Sequence, residues 1–189
     1  VGSRGLGDVY KRQADKLVSR KYWNGERKGL FRRQSWERPE CGLYIWGGVG
    51  RGKTFLMDLF VDSLPEGTAV RLHFHRFMNH VHDRLTALQG KENPLEIIAD
   101  ELAREDKVLC LDECFVSDIT DAMVLGALFD AFFRRGVSLV TTSNTEPDQL
   151  YKDGLQRDRF LPAIALIKKH CRIFNLDSGI DYRLRALEN

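Results

Sequence analysis

Four cysteines in 189 residues, with no pair at CxxC spacing, are too few and too scattered for a disulfide scaffold. A reduced intracellular compartment is the expectation that follows. No apolar run reaches the roughly 20 residues that a bilayer-spanning helix needs, and no signal-peptide pattern is visible. The net charge is only +2, so no global field calls for nucleic acid or an acidic membrane as a partner. Internal repeats and low-complexity tracts are lacking as well. What is present is ordinary for a globular chain, 43% hydrophobic and 30% charged, and the length suits one well-buried α/β domain rather than two.

From Gly42 onward, apolar runs alternate with helical patterns. "GLYIW" (Gly42–Trp46) predicts a strand, and "KTFLMDLFVDSL" predicts a helix after a glycine-rich loop. Val70–Phe74 predicts a second strand, with a helix from about Met78 to Leu88 behind it. Pro94 fits the first turn of a helix running to Arg104. "VLCL" (Val108–Leu111) predicts an apolar strand ending at Asp112, Thr120–Arg135 an amphipathic helix, and Gly136 its C-terminal stop. Strands at Val137–Thr142 and Cys171–Leu176, with a helix at Pro162–His170 between them, complete the series. Strands that are apolar on both faces and alternate with helices predict an α/β fold, a parallel sheet covered on both sides.

Three stretches carry chemistry. Gly47, Gly48, Val49, Gly50, Arg51, Gly52, Lys53 and Thr54 fit G-x-x-x-x-G-K-[ST] in full, between a predicted strand and a predicted helix. Glycines let such a loop turn its N–H groups onto phosphate oxygens. Lys53 is placed to reach the β/γ-phosphates, and the Thr54 hydroxyl to ligate Mg²⁺; Phe55 follows directly and is counted with the loop. "VLCLDE" delivers Asp112 and Glu113 at a strand end. Asp112 would hold Mg²⁺ through its water shell, and Glu113 would orient or deprotonate the attacking water. The adjacent glutamate favours a water-activating ATPase over a GTPase switch or a small-molecule kinase. "LVTTSN" ends in Asn144, which could hydrogen-bond the γ-phosphate or the attacking water, although Ser and Asn also favour plain turns.

Taken together, "LYIWGGVGRGKTFLMDLF", "LHFHRFM", "VLCLDECFVSDITDAM", "TSNTEPDQLYKDGLQRDRFLPAI" and "DYRLR" resemble the ZapE-like (Afg-type) ATPases, AAA+ proteins of bacteria and mitochondria. The resemblance runs from about Gly29 to Arg185 with the segments in family order. It implies a three-layer P-loop NTPase of AAA+ type, with a parallel sheet in 5-1-4-3-2 order, and ATP hydrolysis coupled to work on another protein. By that resemblance Gly47–Thr54 is Walker A, Asp112 and Glu113 are Walker B, and Asn144 is sensor 1. Arg157 would be the arginine finger that reaches a neighbouring subunit's γ-phosphate, with Arg159 the second choice. Ordinary surface ion pairs with Asp153 or Asp158 are the plainer roles for these arginines.

Bacterial members resemble factors acting on the division-ring protein FtsZ, and mitochondrial members are associated with inner-membrane protein quality control. The resemblance therefore implies a bacterial cytoplasmic protein, with a mitochondrial one as the alternative. It also implies a homo-oligomeric ring in the full-length protein, and membrane contact only through a partner. The chain departs from the family twice. Cys114 stands where the family has an aromatic residue, and the lid that follows "DYRLR", the normal source of a sensor 2 arginine, is missing.

Two further stretches invite other readings. "LHFHRFMNHVH" packs His73, His75, His80 and His82 together, but His80 and His82, two apart on a helix, point away from each other and do not form a convergent metal site. The same segment lies where AAA+ rings carry a pore loop, which would use Phe77 and Met78 to grip a polypeptide; burial against the sheet is the competing role. "RKYWNGERKGLFRRQSWERP" interleaves Tyr22, Trp23 and Phe31 with basic residues, a pattern shared by single-strand binders. A solvated basic helix over the nucleotide pocket is the commoner explanation, so nucleic acid is not the expected partner.

The expected organisation is a linker or non-native segment at 1–14, a basic helical segment at 15–41 and a nucleotide-binding core at 42–189 without its lid. The expected function is Mg²⁺-dependent ATP hydrolysis that remodels a protein partner such as FtsZ. The alternatives are a helicase-loader type of DNA-acting ATPase, a mitochondrial-type quality-control ATPase, and a nucleotide-dependent interaction module without turnover.

Overall fold

The computed structural model describes residues 41–177 apart from Asp106. The expectations for 1–14, for the basic segment up to residue 40 and for the stretch from residue 178 onward lie outside the described residues.

The chain runs β1 (Gly42–Trp46), α1 (Lys53–Asp62), β2 (Ala69–His73), α2 (Phe74–Ala87), α3 (Pro94–Glu105), β3 (Val108–Asp112), α4 (Ile119–Arg134), β4 (Ser138–Ser143), α5 (Leu161–His170) and β5 (Cys171–Asn175). Short 3₁₀ turns at Pro147–Gln149 and Arg157–Arg159 lie between β4 and α5. The five strands pair in parallel in the order β2-β3-β4-β1-β5. Numbered from the other edge this is 5-1-4-3-2, the order that the family resemblance implies.

Alternate residues of the apolar strands bury on opposite faces of the sheet. Leu43, Ile45, Val108, Cys110 and Val140 join Leu56, Met57 and Phe60 of α1 on one face. Tyr44, Leu109, Leu111 and Leu139 join Phe77, Phe129, Phe132 and Ile164 of the other helices on the opposite face. Helices therefore sandwich the sheet, and this is why β1 and the first four residues of β3 read as unbroken apolar runs. Each buried side chain of α1 contributes about 1.5–3 kcal/mol relative to exposure. Together they hold α1 against its face of the sheet, so that its first turn, with Lys53 and Thr54, begins a short loop beyond the carboxyl end of β1.

Local signals set the ends of α4. The Asp118 carboxylate accepts the Thr120 N–H at 2.5 Å as N-cap. Gly136, at φ 78°, follows the last turn as expected.

The segment after β2 departs from expectation. Helix α2 begins at Phe74 rather than near Met78, directly after the strand, and leaves no loop between them. Phe74, Phe77, Met78 and Val81 follow an i, i+3, i+4, i+7 spacing and are all buried. Helical periodicity therefore wins over the short alternation of "LHF". Phe77 and Met78 are 0% and 1% exposed, so they are core residues, and the pore-loop expectation is corrected to the competing one. His75 lies on the helix and not beside His73 on a strand. Among the described residues no group of three or more His, Cys, Asp or Glu could hold a metal ion.

Candidate nucleotide site

The glycine loop leaves β1 and enters α1 through Gly50 at φ 77° and Gly52 at φ 86°. A Cβ at either would meet nothing within 4 Å, so it is the left-handed backbone, not crowding, that calls for glycine there. Gly52 is the N-cap of α1, provides no side-chain cap, and the first turn carries no acidic residue. The first-turn N–H groups and the helix dipole are thus left to an anion. Val49 and Phe55 are exposed around this end, and Thr54 lies on the exposed side of the first turn. The Lys53 ammonium folds back onto the Gly47 and Gly48 carbonyls at 2.6 and 2.7 Å. Partial burial pulls the Lys53 pKa below its ordinary value, while Asp177 and Glu113 pull it back up.

The order of the strands assembles the rest. Trp46 pairs with Ser143 and Leu111 with Thr141, so β4 lies between the loop strand and the Asp112 strand. Gly47, Asn144 and the Asp112–Glu113 pair therefore leave the sheet side by side, at the carboxyl edge where open α/β sheets bind ligands. The end of β4 clamps its neighbour. Glu113 donates its N–H to Thr142 Oγ1 at 3.0 Å, and Cys114 donates to the Thr142 carbonyl at 2.7 Å. The Ser143 hydroxyl returns a bond to the Cys114 carbonyl at 2.8 Å. Beneath Asn144, the Tyr44 hydroxyl donates to the Thr145 carbonyl at 2.8 Å, and burial raises its pKa so that it remains a donor.

Glu113 sits at φ 57°, a left-handed conformation that costs a non-glycine residue about 1 kcal/mol or more. The two bonds to Thr142 hold it there. Its carboxylate is three-quarters exposed, lies 3.8 Å from His73, and faces a cleft of about 390 Å³ that Asn144 also lines. Cys114 is buried beneath, with its thiol pushed up to about 12, and is chemically quiet at neutral pH.

The two candidate finger arginines are elsewhere. Both belong to the Arg157–Arg159 turn. Arg157 donates to the Asp148 carbonyl at 2.7 Å, and Arg159 to Gln156 Oε1 at 3.1 Å. Neither makes the ion pair with Asp153 or Asp158 weighed from the sequence, and the partners of both lie outside the phosphate loop of the same chain.

Two residues of the site were not among the sequence expectations. Asp177, just past β5, accepts the Gly48 N–H on both oxygens at 2.9 and 3.1 Å and pairs with Arg51 at 3.0 Å. Nothing in "NLDSG" announces this, because it arises from the pairing of β5 with β1. Arg71 binds Asp112, and an arginine between the apolar Val70 and Leu72 of a strand was a signal available in the sequence. The Asp177 carboxylate puts negative charge beside a loop suited to anions. Asp177→Asn is expected to tighten ATP binding about twofold to fivefold at low salt, the scale of one exposed charge contact. The gain should shrink as salt rises, and titration with a fluorescent ATP analogue checks it.

The profile of the AFG1-like ATPases matches residues 6–189. Cell division protein ZapE of Escherichia coli K12 is 66% identical over 149 residues, covering 79% of this chain and 40% of that protein. Lactation elevated protein 1 homolog B of Danio rerio is 42% identical over 199 residues, covering all of this chain and 38% of that protein. The chain thus spans about two-fifths of the length of these relatives. Among solved structures, DnaI superposes with a TM-score of 0.59 at 17% identity, covering 87% of this chain and 78% of DnaI. AMPPCP-bound DnaA from Aquifex aeolicus also gives 0.59, at 15% identity, covering 92% of this chain and 46% of DnaA. At such identities the likeness is one of fold, the P-loop NTPase sheet with its helices. By the extent of the family match and the identity to its relatives, the chain belongs to the AFG1-like ATPase family.

Proposed function

We propose that this chain is the ATP-binding and ATP-hydrolysing core of a Mg²⁺-dependent machine that remodels a protein partner, the bacterial division protein FtsZ. The observation that carries the reading is the convergence of three strand ends: the phosphate loop, Asn144 and the Asp112–Glu113 pair leave β1, β4 and β3 side by side. The loop amides and the α1 N-terminus hold the polyphosphate, and Lys53 exchanges its two loop carbonyls for the β/γ-phosphates. The Thr54 hydroxyl and, through the ion's water shell, the Asp112 carboxylate are hard oxygen donors that would suit Mg²⁺, an ion that commonly keeps several waters and binds alongside phosphates. With only these two protein oxygens proposed for it, the ion would bind together with the nucleotide. When bound, the ion neutralises charge on the transferring phosphoryl group. Glu113 orients and deprotonates water in the cleft, Asn144 fixes the γ-phosphate, and Arg157 completes the site of a neighbouring copy in a ring.

The cell-division name of the relative at 66% identity supports the partner class and a bacterial cytoplasmic setting. No helix among the described residues is long and apolar enough to cross a membrane. Sedimentation of FtsZ polymers tests the proposal. With ATP and Mg²⁺ the chain should change the pelleted FtsZ fraction, and with ADP it should not. Hydrolysis stimulated by single-stranded DNA, with no effect on FtsZ under any nucleotide, would overturn it.

A further inference from the structure

Arg71 is the one charged residue of β2 that reaches into the carboxyl edge of the sheet, and it spans two elements. Its Nε donates to Asp112 Oδ2 at 2.7 Å, and its Nη1 to Asp58 Oδ1 at 2.5 Å. Asp112 is 8% exposed, so this carboxylate gives up most of its water and relies on Arg71 for compensation. Burial works against the Arg71 charge, but the two carboxylates outweigh it and raise its pKa. Asp58 lies four residues after Thr54 in α1, so the two share one helical face a single turn apart. The bridge Asp58–Arg71–Asp112 thus ties the face of α1 that carries the Thr54 hydroxyl to the strand end that carries the Asp112 carboxylate.

We infer that Arg71 is a positioning residue for the metal: by clamping Asp58 and Asp112 it fixes the separation of the Thr54 and Asp112 oxygens and orients the Asp112 carboxylate. With Oδ2 held by Arg71, Oδ1 is the oxygen left for the water shell of the ion. A guanidinium suits this task because its rigid fork serves two carboxylates at once, whereas a lysine offers one point charge. Residues that hold a metal ligand from behind commonly cost about 10–100-fold in metal affinity when removed. The inference rests on the proposed Mg²⁺–ATP reading of the site.

The test is binding of a fluorescent, non-hydrolysable ATP analogue, first in EDTA and then across a Mg²⁺ titration, in the parent chain, Arg71→Ala, Arg71→Lys and Asp58→Asn. In Arg71→Ala the Mg²⁺ concentration at half-maximal tightening should rise about tenfold or more, while affinity in EDTA stays within about twofold of the parent. Arg71→Lys should recover only part of the loss. Asp58→Asn, which leaves the Arg71–Asp112 contact in place, should shift the midpoint in the same direction by less. Adding Asp58→Asn to Arg71→Ala should bring no further shift, because the clamp is already open. An unchanged Mg²⁺ midpoint in the variants would overturn the inference. So would an equal loss of affinity with and without metal, which would assign Arg71 to holding the fold. If Arg71→Ala does not fold, Arg71→Lys and Asp58→Asn decide by the same two readings. Failure of the parent chain to bind the analogue at all would instead strike the proposed function.

Discussion

Glu113→Gln is expected to keep ATP bound and to lower turnover by at least about 100-fold, the lower end of what a positioned general base contributes. The substitution keeps the shape of the side chain and removes only its capacity to accept a proton. Three features make the prediction specific. Glu113 adopts a left-handed conformation, and Thr142 holds it there through two bonds, one to Glu113 and one to Cys114. The carboxylate opens onto the cleft that Asn144 lines. Its charge also offsets part of the fall that burial imposes on the Lys53 pKa, so the two side chains share one electrostatic environment. Phosphate release and nucleotide affinity, measured on the same preparation, check the outcome. Comparable hydrolysis by the variant would exclude Glu113 as the base and leave its backbone strain without a catalytic purpose.

Arg157→Ala is expected to lower hydrolysis about 1,000-fold or more while ATP binding is retained, since an arginine supplied by a neighbour is commonly worth that much. In this chain Arg157 is tied to the Asp148 carbonyl in a turn of its own and does not bond to the loop of the same molecule. The role proposed for it is therefore one played at the site of a second copy. Mixing provides the decisive readout. Arg157→Ala retains Glu113, and Glu113→Gln retains Arg157, so an interface between the two variants contains one complete site. Each variant alone should be inactive, and the mixture should regain activity. Arg159→Ala, tested in parallel, should leave hydrolysis near that of the parent. Thermal unfolding separates loss of the Asp148 contact from loss of the reaction. A mixture that stays inactive, or an active Arg157→Ala, would remove Arg157 from the mechanism.

The residues that could be read in advance are those whose signal is local. Gly50 and Gly52 are required by backbone angles within a few residues of each other, so the loop shows in its spacing. The strand "VLCL" and the carboxylates at its end show because four apolar residues buried on both faces give way abruptly to two acidic ones. Asn144 shows less cleanly, because Thr141, Thr142 and Ser143 before it are already polar, buried and satisfied by bonds to the neighbouring strand end. The start of the helix that carries Phe77 and Met78 is hard to place from sequence, because a short alternating run resembles a strand up to the point where a helical stripe begins.

Contacts between segments distant in sequence could not be read in this way. Spacing and periodicity report which face of an element is buried, and they are fixed by the chain's own dihedrals. Which strand lies beside which, and which side chain meets another across more than a hundred residues, follows from how whole faces pack. Thus the phosphate loop, its lysine and the acidic pair belong to the sequence. The insertion of β4 between them, the left-handed turn of Glu113, the Asp177 carboxylate on the Gly48 amide and the Arg71 clamp belong to the folded sheet. Each of these depends on strands brought together by burying apolar surface, a force without direction that leaves no motif of its own in the chain.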